Sequence, residues 1–194
     1  VRLFLVGLAG GMGLMLLVHL VQRAGGWVVV GPGERAGGRV GWTNLAILVA
    51  VSALEEWLFR GWLFDLLLPR VGATGTLVVT SAVFGLLHLG NRVRPLTIFN
   101  AALAGAAFGA ARLLTGGLGL AVGLHVGWNV MQWPVLGYPL YGLERRSLFH
   151  FPTLITCQPR GPRLLSGGAD GPEGSLLDTA AFGLLLLFLA RLAG

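Results

Sequence analysis

Apolar residues run along this chain in long blocks, separated by short clusters of Gly, Pro and Arg. Six blocks stand out, at residues 3–21, 42–68, 76–88, 96–114, 118–136 and 176–192. Most approach the ~20 residues that a helix needs to cross a hydrocarbon core of about 30 Å, so the pattern predicts membrane spans. The first block is too long for a secretory signal and has no small-residue cleavage site after it, so it reads as a span. In the fourth, nine of the thirteen residues 100–112 are Ala or Gly. Such a helix admits close neighbours and is expected at the centre of a bundle. The segment 137–175 is rich in Pro, Gly and Arg. Within it, 148–155 is apolar but too short to span, which predicts a re-entrant or interfacial element.

Composition narrows the class. Of 194 residues 55% are hydrophobic and 11% charged, with 32 glycines and a mean hydropathy of +0.77. A soluble domain uses about 25% charged residues, and its surface cannot be covered by so few. Disorder is excluded by the same apolar excess. The fold class is therefore an all-α, polytopic transmembrane helix bundle. One integral membrane domain covers 1–194, with its motif-bearing core at 42–136.

The net charge of +6 comes from arginine alone, since lysine is absent. The arginines fall in the gaps between blocks, which argues for membrane topology and against nucleic acid as a partner. Nine lie after the first, third and fifth blocks against four on the other side, so those loops are expected in the cytoplasm. The expected location is the cytoplasmic membrane of a bacterium. A single cysteine, Cys157, excludes an intramolecular disulfide. The chain opens on Val1, and an N-terminal piece is expected to precede it.

Some charges sit where hydrocarbon is expected. Glu55 and Glu56 lie about 13 residues into the second block, roughly 20 Å along a helix axis. A bare carboxylate at that depth costs at least ~2.5 kcal/mol. Arg60 follows Glu56 by four residues and shares its helix face, whereas Glu55 is rotated by about 100°. The expectation is that Glu56 is neutralised and Glu55 stays available. Phe84 and His88 on the third block share a face, as do His125 and Asn129 on the fifth. A carboxylate, two imidazoles and an amide in one membrane layer are what general-base chemistry on water requires.

In this order Glu55-Glu56-Trp-Leu-Phe-Arg60, Phe84-Gly-Leu-Leu-His88 and His125-Val-Gly-Trp-Asn129 resemble the three motifs of the CAAX protease and bacteriocin-processing family, also called Abi. Its members are intramembrane endopeptidases, and the resemblance covers about 75 residues. Gly167-Gly and Gly171-Pro-Glu-Gly-Ser175 also resemble a loop of bacterial members. Family members commonly have about eight helices, against six blocks here. The resemblance implies Glu55 as the base on the attacking water, assisted by His88. It implies His125 and Asn129 as oxyanion donors, Arg60 as the holder of Glu56, and Phe84 as a packing residue.

The expected partners are the bilayer and a membrane-associated peptide or protein, including lipid-modified ones. The family is generally metal-independent, and no cofactor is expected. A zinc ion on Glu55, His88 and His125 is the alternative. HExxH, GxSG and intramembrane GxGD signatures of other intramembrane proteases are absent. Ser52 and Ser81 have no nucleophile context. Two other functions compete: a proton- or ion-coupled transporter, and a non-catalytic membrane binding protein, both built on the same buried polar cluster.

Overall fold

A computed structural model describes residues 1–34, 38–91, 93–140 and 152–193, without the side chains of 38–40 and 193. Seven α-helices are described: α1 (Arg2–Ala24), α2 (Gly38–Glu56), α3 (Leu63–Leu87), α4 (Pro95–Thr115), α5 (Gly119–Val130), α6 (Arg163–Ser166) and α7 (Leu176–Ala193). Two short strands, β1 (Val28–Pro32) and β2 (Ile155–Pro159), pair antiparallel, with Val30 opposite Cys157. The protein is thus nearly all-α. Three helical stretches are long and apolar enough to cross a membrane: 2–24, 41–91 and 95–115.

The stretch 41–91 contains two of the apolar blocks. Its helix widens into a π-helical segment, Trp57–Trp62, directly after Glu56. Inside α3 the backbone breaks at Gly72, where φ is 70° and ψ 178°, a conformation open to glycine and strained for other residues. That break, three residues after Pro69, separates the second block from the third.

Helix α5 is the most enclosed, with every residue from Gly123 to Asn129 buried. It lies against α1 at backbone distance. A Cβ at Gly7 or Gly11 would overlap the carbonyls of Leu120 and Leu124, and one at Gly123 or Gly127 those of Phe4 and Leu8. Paired glycines four apart on both helices make this contact, as small residues do between helices in lipid. Helix α4 packs on α3, α5 and α7 through Ala104, Ala107, Phe108 and Ala111. Its most apolar window is 56% buried, against 28% for α1, which puts it inside the bundle. Leucines of α1 and α7 face outward, as lipid-facing positions would.

After α5, Ile155, the last residue of the apolar stretch 148–155, opens strand β2. Backbone groups there find partners in β1, which satisfies them without burial in a span. Residues 148–151 lie outside the described residues, as do Arg35, Arg92, Arg145 and Arg146 of the loop arginines.

Candidate active site

Ser52, Glu56 and Arg60 follow one another at four-residue intervals and are all fully buried, at 1%, 0% and 0% exposure. Arg60 Nη1 donates to Glu56 Oε1 at 2.9 Å. The guanidinium carbon sits 4.4 Å from the centre of the Phe84 ring and 5.6 Å from that of Phe108. Aromatic faces therefore take part of the role that water plays for an exposed cation. Room for this head group comes from Gly105 of α4, where a Cβ would lie 2.8 Å from Arg60 Nη2. Arg112, also on α4, donates from Nε to the Arg60 carbonyl at 3.1 Å and from Nη2 to Asp65 at 2.9 Å. Two helices thus fix the widened turn that carries Arg60, at a kind of irregularity frequent in functional sites.

His125 of α5 connects the two glutamates. Its Nδ1 donates to the same Glu56 Oε1 at 2.9 Å, and its Nε2 faces Glu55 Oε2 at 3.6 Å. Phe108 stacks on the imidazole at 5.2 Å with planes 20° apart, and Phe84 meets it edge-on at 6.0 Å. The ring is therefore held by a carboxylate and two aromatic surfaces. Glu55 differs from its neighbour in exposure: its side chain is 38% exposed, that of Glu56 0%. The 100° rotation per residue accounts for this, since α2 turns Glu56 inward and leaves Glu55 at the rim.

His88 ends α3, and its Nδ1 lies 2.9 Å from the Phe84 carbonyl. A carbonyl can only accept, so Nδ1 carries the hydrogen and the lone pair of the neutral ring is on Nε2. The Phe84 ring touches His88 at 5.2 Å as well as His125. Both imidazoles are thus positioned from one aromatic side chain. Asn129, one turn after His125, donates from Nδ2 to Ser52 Oγ at 3.0 Å.

The structure therefore brings Glu55, Glu56, Arg60, Phe84 and His125 into one cluster, with His88 beyond Phe84 and Asn129 a turn along α5. Sequence reasoning missed Gly105, Phe108 and Arg112, and weighed Ser52 only as a nucleophile. Ser52 and Arg112 had a signal: the first shares the Glu56 face by spacing, and the second is the lone charge within an Ala/Gly helix. Phe108 had none, because a stacking partner from another helix leaves no local spacing. Glu56 also does more than pair with Arg60, since it fixes the imidazole of His125. Among the described residues no three His, Cys, Asp or Glu side chains are grouped so as to hold a metal ion. The zinc alternative on Glu55, His88 and His125 therefore has no ready-made ligand set.

Residues 38–131, which contain α2 to α5 and every member of this cluster, match the family model described as type II CAAX prenyl endopeptidase Rce1-like. Over this stretch the chain is similar to the Rce1-like family. No curated protein and no solved structure matches it. The Rce1-like match and the apolar helices support an integral membrane protein of the CAAX protease type. A membrane-associated peptide is the substrate class that such a protease implies.

Proposed function

We propose that this Rce1-like protein is a glutamic intramembrane endopeptidase, working without a metal, in which Glu55 activates the attacking water. The observation that carries the reading is the division of labour between adjacent carboxylates. Glu56 is spent on Arg60 and His125, while Glu55 is half-exposed beside the other nitrogen of the same imidazole. Glu55 takes a proton from water as the oxygen attacks the peptide carbonyl carbon. The negative charge that develops on the carbonyl oxygen is met by N–H groups of His125 Nε2 and Asn129 Nδ2. Glu56 balances the imidazolium that this requires, as a buried carboxylate does in other hydrolases. The proton held by Glu55 then passes to the leaving amine, with His88 Nε2 as the second site that can carry it.

The substrate we propose is the C-terminal tail of a lipid-modified protein or peptide at a bacterial cytoplasmic membrane. The decisive experiment compares purified wild-type and Glu55→Gln protein in detergent on a farnesylated CAAX peptide. It is paired with mass spectrometry of membrane peptides from cells making each protein. Wild-type cleavage that persists in a zinc chelator and vanishes in Glu55→Gln is the expected result. Equal peptide profiles from the two cell populations would sink the protease reading and favour a transporter or binding protein. Loss of activity on chelation, restored by zinc, would sink metal independence alone.

A further inference from the structure

Helices α2 and α5 are joined by two hydrogen bonds of matched spacing. Glu56 meets His125 at 2.9 Å, and four residues earlier on α2, Ser52 meets Asn129 four residues later on α5 at 3.0 Å. The two pairs form successive rungs between antiparallel helices. The chemistry of the second rung has a direction. Ser52 Oγ also approaches the Leu48 carbonyl at 2.9 Å, and only the hydroxyl can donate there. With its one hydrogen committed, Ser52 can only accept from Asn129.

That restriction selects one of the two orientations of the Asn129 amide. Turned over, the amide would set its Oδ1 against an oxygen that has no hydrogen left, at a site where Ser52 is 1% and Asn129 7% exposed. Little water can compensate there, and an unmatched buried pair costs more than a hydrogen bond gains. In the observed orientation Nδ2 gives one hydrogen to Ser52 and keeps its second for another acceptor. We infer that Ser52 is a positioning residue, which fixes the Asn129 amide with its N–H side set for the oxyanion. The inference rests on the assignment of Asn129 as an oxyanion donor. It makes Ser52 neither a nucleophile nor a group that touches substrate.

Steady-state cleavage of the farnesylated peptide by Ser52→Ala, Asn129→Ala and the double variant tests this. Loss of an oxyanion donor in Asn129→Ala lowers kcat by about 10²–10³. Ser52→Ala lowers kcat by roughly 10- to 100-fold, as misplacement of a catalytic group does, with KM and thermal unfolding unchanged. The double variant is no slower than Asn129→Ala, because Ser52 acts only through that amide. Ser52→Thr restores most of kcat, since threonine makes the same back-bond to a carbonyl four residues earlier at Thr76, Thr80 and Thr115. Where Ser52→Ala lowers the unfolding temperature, Ser52→Cys replaces it with a side chain of similar size and weak hydrogen bonding. Full kcat in Ser52→Ala, or losses that multiply in the double variant, would overturn the role of Ser52 while leaving the Glu55 mechanism standing. Full activity in Asn129→Ala would overturn the oxyanion assignment and this inference together.

Discussion

Of the arginine–carboxylate pairs in this bundle, Arg94–Asp170 and Arg60–Glu56 are finished in different ways. At the start of α4, Asp170 Oδ2 accepts from the Arg94 backbone N–H at 3.0 Å, from Arg94 Nε at 3.2 Å and from Thr97 Oγ1 at 2.8 Å. Arg94 Nη2 binds the carbonyls of Gly167 and Gly174. Asn100 Nδ2 holds those of Glu173 and Ser175 at 2.7 and 2.9 Å. Asp170 thus caps α4 from a distant loop, and Arg94 and Asn100 bind carbonyls of that loop. At the other pair, Glu56 Oε1 receives both Arg60 and His125, yet Glu56 Oε2 has no hydrogen-bond partner among the described residues. Glu55 beside it is 38% exposed. The pair that holds chain together gathers three donors on one carboxylate oxygen. A pair beside a reaction keeps an unmatched acceptor and an accessible carboxylate, and the bundle bears the cost.

The contrast predicts that substitutions at the two pairs separate activity from stability. The largest effect belongs to Glu55→Gln. Loss of a general base typically removes 10²–10⁴ of rate, and the half-exposed side chain should leave thermal unfolding in detergent unaltered. Unchanged turnover would place Glu55 with the structural carboxylates.

Arg60→Ala comes next. It leaves Glu56 buried without its guanidinium partner, and breaking such a pair costs about 3–5 kcal/mol. The expected signature is low yield and a lowered unfolding temperature, with remaining activity in proportion to folded protein. A protein of normal stability and no activity would move Arg60 into the chemistry.

Asp170→Asn should do less. Arg94 is 31% exposed and shares the load with backbone and hydroxyl donors, so a loss of about 1–3 kcal/mol is expected, with turnover per folded molecule retained. Its pH dependence has a definite sign. Burial alone would raise the Asp170 carboxyl, but the Arg94 N–H, the Thr97 hydroxyl and the Arg94 guanidinium together hold it below the ordinary aspartate value of 3.8. A depressed folded value contributes stability that is full above the unfolded value and is lost as pH falls through the folded one. The stability gap between wild type and Asp170→Asn should therefore be constant above about pH 5 and shrink below about pH 4. A gap that widens in acid would show that Asp170 is not the stabilising acceptor.

The smallest effect is at Cys157, which is 2% exposed. Burial pushes its thiol up to about 11, so little reactive thiolate exists at neutral pH. Maleimide should leave the folded protein unmodified by intact mass and label it on denaturation. Rapid labelling of folded, active protein would mean that the β1–β2 region opens.

How far the sequence reached depends on whether the information was local. Long apolar blocks with few charges dictate membrane helices, because lipid offers no partner to an unpaired backbone group. The spacing of Glu56 and Arg60 set one face of α2, and the one-residue offset of Glu55 turned it elsewhere. These follow from helix geometry alone. What local spacing does not encode is which faces of different helices meet. Only the tertiary structure put His125 against Glu56, Asn129 against Ser52 and Phe108 flat on the imidazole. It also showed that Ile155–Pro159 pairs as a strand with β1, a partner more than a hundred residues away. The helices are dictated by the chain's own periodicity, but the site lies between helices. Close packing along glycine seams brings those helices together, and that packing is a property of pairs of surfaces that no single segment contains.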